Sequence, residues 1–121
     1  MFKEKFFWLV IPVSLVFHPS HEPLWEGSDG TEKIKIANGH PMLSKVTGTG
    51  CMTSALVGAF AGAGSDYLSA AVAGIASMGI AGETAFQTAG TLGTGSFHVA
   101  IIDALSRLTA EELEKRVKIV E

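Results

Sequence analysis

Residues 67–90 constrain this chain more than any other stretch. They read as one helix built from small side chains: Ala70, Gly74 and Met78 share one face, and Ala71, Ile75 and Gly79 another. A glycine inside a helix costs about 1 kcal/mol relative to alanine. Gly74, Gly79 and Gly82 therefore demand neighbours that come close to the helix backbone, or the helix frays. Glu83, Gln87 and Thr88 then bring polarity to its second half. The wholly apolar part, 70–82, is short for a bilayer span, which takes about 20 residues.

A second small-residue helix is predicted ahead of it, over 50–64. Met52, Leu56 and Phe60 recur at four-residue intervals with Ala55, Ala59 and Ala63 beside them, which predicts a buried stripe. Gly62 and Gly64 close this helix, and Ser65-Asp66 can cap the next. Beyond a Gly-rich turn at 90–96, Phe97, Ile101, Leu105 and Leu108 mark a third helical stripe. Thr109-Ala110-Glu111-Glu112 is a capping box that opens a short amphipathic helix, with Lys115, Arg116 and Lys118 late in it where the dipole favours cations. The last residues, 118–121, read as a short strand.

The first third reads differently. Over 33–37, charged and aliphatic residues alternate, putting Ile34 and Ile36 on one side and Lys33 and Lys35 on the other, as in a half-buried strand. Asn38-Gly39 suits a tight reversal, with 40–45 returning as the second arm of a hairpin. His40 reads as a turn side chain. Residues 18–29, broken by Pro19 and Pro23, read as loop. His18, His21 and Glu22 lie there without a further His or Cys at ligand spacing, so no metal site is assigned. Residues 1–17 combine Lys3 and Lys5 with an apolar run of signal-peptide size, 6–17, but no small-x-small cleavage site follows closely. A buried strand or an out-of-frame remnant is preferred over export.

The chemistry-bearing stretch is Lys45-Val46-Thr47-Gly48-Thr49-Gly50-Cys51-Met52-Thr53-Ser54-Ala55. A helix starting near Gly50 leaves its first N–H groups without helical partners. Those donors and the positive end of the helix dipole favour an anion. The glycines let main chain approach a ligand. Cys51 stands in the same first turn, and Thr53 and Ser54 either face the site or bond back to the helix.

The run Ile36-Ala37-Asn38-Gly39-His40-Pro41-Met42-Leu43-Ser44-Lys45-Val46, with Thr47-Gly48-Thr49-Gly50-Cys51 after it, closely resembles hydroxyethylthiazole kinases of the ribokinase-like superfamily. Gly93-Thr94-Gly95-Ser96-Phe97-His98-Val99-Ala100 and Ile102-Asp103-Ala104-Leu105 resemble that family's closing segment, which borders the nucleotide. The resemblance covers 29–121 and leaves 1–28 as an atypical N-terminal segment, a frame remnant or signal-like. It implies an α/β fold, the C-terminal portion of a ribokinase-like domain, with short strands or a hairpin followed by Ala/Gly-rich helices. It implies ATP- and Mg²⁺-dependent phosphorylation of the hydroxyl of 4-methyl-5-(2-hydroxyethyl)thiazole, a thiamine-salvage reaction, in a cytoplasmic homo-oligomer, a trimer in the family. Residue by residue, it implies an anion hole from the amides of Thr49, Gly50 and Cys51, Cys51 as the proton acceptor, and Gly48 against the thiazole. The family pattern has Pro where Thr94 stands and Gln where His98 stands. Where relatives carry a Thr-Gly strand end that contacts ATP, this chain has Pro19-Ser20-His21-Glu22-Pro23.

The 121 residues allow one domain with one modest core. A family enzyme is about twice as long, which suggests a truncated product or fragment with weak or no activity alone. Nine basic residues, unclustered, in a chain of formal net charge −3 exclude a nucleic-acid surface. A single cysteine excludes an intrachain disulfide and suits a reducing compartment. Two rival readings stand beside the kinase: a small membrane protein inserting 6–17, 51–64 and 67–82, and a non-catalytic subunit-interface module.

Overall fold

The structure is a computed structural model, and it describes residues 14–17, 23–28, 33–64 and 66–120, with side chains described from Ile34 onward. Four strands form an antiparallel sheet in the order β1-β2-β3-β4: β1 Ser14–Phe17, β2 Pro23–Ser28, β3 Lys33–Ile36 and β4 Ile119–Val120. Trp25 pairs with Ile36 across β2 and β3, and Ile36 with Ile119 across β3 and β4. The alternation in β3 is as expected: Ile36 is fully buried, Ile34 is partly buried and Lys35 is exposed. The sequence tail pairs with β3 as the short strand expected of it. The 18–29 loop is corrected in part. Pro23 opens β2, a position where its missing N–H costs the ladder least. Residues 1–13, and His18, His21 and Glu22, lie outside the described residues.

The hairpin at Asn38-Gly39 does not form. Gly39 has the positive φ of 137° that a reversal favours, but the chain next enters a 3₁₀ turn, Pro41–Lys45, not a returning strand. Pro41 explains this. It cannot donate to a strand ladder, it suits the first position of a helix, and it pushes the residue before it into extended geometry. His40 has that geometry, with φ −143° and ψ 143°.

Four α-helices follow: α1 Thr49–Ala63, α2 Tyr67–Ala89, α3 Thr94–Arg107 and α4 Ala110–Arg116. Asp66 caps α2 by accepting from the Leu68 N–H, and Thr109 caps α4 by accepting from the Glu112 N–H. α2 is the centre of the molecule, packing on α1, α3, α4 and the β2–β3 part of the sheet. Its glycines are where the neighbours come closest. A Cβ on Gly74 would lie 2.7 Å from the Val57 backbone nitrogen in α1, one on Gly79 would lie 2.6 Å from the Asn38 carbonyl oxygen, and one on Gly82 would lie 2.7 Å from a Leu43 methyl. Close packing thus offsets the helix cost of all three glycines. α2 is the one helix among the described residues long and apolar enough to cross a membrane, but 67% of its apolar window is buried within the protein. It is the core helix, and the membrane reading is not favoured.

The buried stripe of α1 differs from the one expected. Thr49, Thr53, Val57 and Ala61 face inward, while Met52, Leu56 and Phe60 flank the core half-buried and Ala55, Ala59 and Ala63 are exposed. The close approach of Val57 to Gly74 sets this rotation. A bulkier residue at the contact would hold the two backbones apart. On α3, Phe97 and Ile101 are fully buried, with Ala104 beside them. A large apolar side chain so buried contributes about 1.5–3 kcal/mol.

Candidate functional site

The segment between β3 and α1 is held at both ends. At its start, the buried Asn38 side chain donates to the Arg116 carbonyl at 2.8 Å and accepts from the Lys118 N–H at 2.7 Å. Glu83 of α2 accepts from the Gly39 N–H at 3.0 Å, from Asn38 Nδ2 at 3.4 Å, and pairs with Arg116 at 3.3 Å. Arg116 also donates to Thr84 and Glu112, each at 2.9 Å. His40 lies flat on Phe86, ring centroids 3.6 Å apart, and its Nδ1 accepts from the Met42 N–H at 3.1 Å. Burial lowers the His40 pKa below its ordinary 6.5, and the Glu83 carboxylate opposes that shift. Leu43, buried against Gly82, fixes the 3₁₀ turn to α2.

At its end the chain turns at Gly48, whose φ of 97° is a left-handed conformation that few L residues adopt. α1 begins there with no side-chain cap. The first intrahelical bond of α1 is from the Met52 N–H to the Gly48 carbonyl at 3.0 Å, so the amides of Thr49, Gly50 and Cys51 precede the helical ladder. A Cβ on Gly48 or on Gly50 would meet nothing within 4 Å, so the main chain is open in front of these residues. Gly50 is exposed, and Cys51 is an exposed free thiol. The Thr49 side chain turns inward, and its hydroxyl donates to the Leu43 carbonyl at 3.0 Å, with the Val46 carbonyl at 3.3 Å.

The expected site residues Gly48, Thr49, Gly50 and Cys51 thus form one helix start, exposed at Gly50 and Cys51 and buried at Thr49. Thr53 and Ser54 bond back to the carbonyls of Thr49 and Gly50, at 2.8 and 3.2 Å. α3 begins in the same style, led by Gly93 with φ 128° and no side-chain cap, and Thr94, Gly95 and Ser96 are exposed. His98 is half-buried in the first turns of α3. Sequence reasoning missed the inward tie of Thr49 and the Asn38–Glu83–Arg116 network. The signal for the first was Thr49 standing four residues before Thr53 and eight before Val57, on one helix face. The second joins residues far apart in the chain, and no local pattern announces it.

The open amides suit a phosphate oxygen. Among the described residues no three of His, Cys, Asp and Glu gather where they could hold a metal ion.

The model of the hydroxyethylthiazole kinase family matches residues 27–111. A hydroxyethylthiazole kinase from Clostridium beijerinckii is 63% identical over 94 residues, 78% of this chain and 34% of the relative. One from Ruminiclostridium cellulolyticum is 56% identical over the same shares of both. The solved hydroxyethylthiazole kinase structure from Pyrococcus horikoshii superposes with a TM-score of 0.69 at 38% identity, over 81% of this chain and 38% of that one. The chain therefore spans about a third of the length of the curated relatives it matches. The fold is that of the corresponding part of the solved kinase. On the matched model, the identity and the shared fold, this chain belongs to the hydroxyethylthiazole kinase family.

Proposed function

We propose that this chain supplies the phosphoryl-transfer end of a site that phosphorylates the hydroxyl of 4-methyl-5-(2-hydroxyethyl)thiazole. The observation that carries the reading is the open start of α1, with Gly50 and Cys51 exposed behind a left-handed Gly48, in a chain of this family. ATP, when bound, supplies the γ-phosphoryl group. Such transfer is mostly positioning and charge stabilisation. The N–H groups of Thr49, Gly50 and Cys51 donate to the oxygens that gather charge. Gly48 presents bare main chain to the thiazole. Cys51 accepts the hydroxyl proton on its sulfur as the hydroxyl oxygen bonds to the γ-phosphorus and the bridging P–O bond to the departing ADP breaks. General-base help of this kind is worth about 10²–10⁴ in rate. The amides therefore share the work with the sulfur.

Mg²⁺ belongs to this reading through the family, and none of the steps given to these residues depends on it. The reading also places the protein in the cytoplasm, in a homo-oligomer of the trimeric kind the family resemblance implies. The described residues supply part of a kinase site, so the expected turnover of the 121 residues is far below the 1–10³ s⁻¹ usual for enzymes. The test is ADP release from ATP with the thiazole alcohol, against the ethyl analogue that lacks the hydroxyl. Slow release that requires the hydroxyl supports the reading. Release that is the same with both compounds, or hydroxyl-dependent release at the rate of a whole enzyme, about 1–10³ s⁻¹, overturns it.

A further inference from the structure

The hydroxyl of Thr49 has no counterpart in the chemistry just described, which uses only the Thr49 main-chain N–H. It is nonetheless buried and hydrogen-bonded. The residue is 8% exposed, and the hydroxyl points away from solvent. Its one hydrogen reaches the Leu43 carbonyl at 3.0 Å and the Val46 carbonyl at 3.3 Å. Those carbonyls belong to the 3₁₀ turn and the extended residue after it. Leu43 is itself pressed against Gly82 of α2. The hydroxyl thus links the first residue of α1 to a turn anchored on the core helix.

This link has a rotational consequence. Successive residues of a helix are about 100° apart around its axis, 3.6 to the turn. With Thr49 held inward, and Thr53, Val57 and Ala61 below it on the same side, Gly50 and Cys51 turn outward. The left-handed Gly48 supplies no side-chain cap that could do the same work. We propose that the Thr49 hydroxyl is a positioning group for the anion loop, holding the first turn of α1, about two turns from the Val57–Gly74 contact that sets the rotation of the helix body, so that the Gly50 and Cys51 amides and the Cys51 thiol are presented together. It acts through Leu43 and Val46 and touches no substrate. The inference rests on the function proposed above.

Cys51 is the chain's single cysteine, so its alkylation by iodoacetamide reads this place alone. The experiment measures how inorganic tripolyphosphate slows that alkylation in the full chain, in Thr49→Val, which keeps the shape and loses the hydroxyl, and in Thr49→Ser, which keeps the hydroxyl. Thr49→Ala is the second hydroxyl-free variant, used if the valine form does not give a native circular dichroism spectrum. The expected result is protection in the parent, protection restored in Thr49→Ser, and a midpoint roughly tenfold higher in the hydroxyl-free variant, the scale of one hydrogen bond. A hydroxyl-free variant that is protected like the parent overturns the positioning role and leaves the anion site standing. A parent whose alkylation tripolyphosphate does not slow overturns the anion site itself, and this inference with it.

Discussion

Gly79 of α2 lies directly beneath Asn38: a Cβ built on Gly79 would stand 2.6 Å from the Asn38 carbonyl oxygen and 2.8 Å from its Cβ. The contact joins the middle of the core helix to the residue from which the site segment departs. Both obstructing groups leave little room to move, since Asn38 is fully buried and bonded to Arg116 and Lys118.

Gly79→Ala should therefore destabilise the protein, although alanine is the better helix former. Overpacking of this kind costs about 1–3 kcal/mol, more than the propensity gain of about 1 kcal/mol. Urea denaturation followed by circular dichroism measures the difference. An alanine variant as stable as the parent would mean that Asn38 can withdraw.

Asn38→Ala should cost more. It removes the donor to the Arg116 carbonyl and the acceptor for the Lys118 N–H, leaving both main-chain groups without that partner. Both bonds are part-buried, and at about 1–3 kcal/mol for each group left unsatisfied the two together cost about 2–6 kcal/mol. Thermal melting reads it, and amide hydrogen exchange should show residues 117–120 loosening first.

In a competent full-length context, Cys51→Ala should lower kcat more than it raises KM, because a proton acceptor acts in the transition state and contributes little to ground-state binding. Cys51→Asp should retain activity, since a carboxylate can take the same proton. The measurement is hydroxyl-dependent ADP release. An alanine variant with the parent's kcat would reduce Cys51 to a surface thiol.

His40 gives the protein a pH dependence of known sign. Burial lowers its pKa in the folded state, so between the ordinary 6.5 and that lower value the unfolded chain binds more protons. Stability then rises with pH across this window and falls as pH drops through it. Protonation at Nδ1 would also remove the acceptor of the Met42 N–H. His40→Phe keeps a ring to stack on Phe86 and should flatten the stability profile below pH 6.5, as measured by urea midpoints. A profile as steep as the parent's would assign the dependence to other groups.

Local rules were enough for much of this protein. Both caps at Asp66 and Thr109, the helices starting at Thr49 and Tyr67, the alternation of β3, and the Gly48 turn follow from short-range sterics and hydrogen bonding. These forces act within a few residues, so spacing and residue type carry them. The side of α1 that is buried does not follow from its own periodicity. Met52, Leu56 and Phe60 make the more apolar stripe, yet Thr49, Thr53, Val57 and Ala61 face the core. That choice belongs to the pair of helices, since only Gly74 lets the Val57 backbone come so near. The same holds for Asn38, a turn residue by its neighbours and a buried junction by its partners 45 to 80 positions away. A chain can encode its turns and caps locally because their partners are adjacent. Which face is buried, and which polar group must be satisfied, is settled when distant segments close on one another and exclude water.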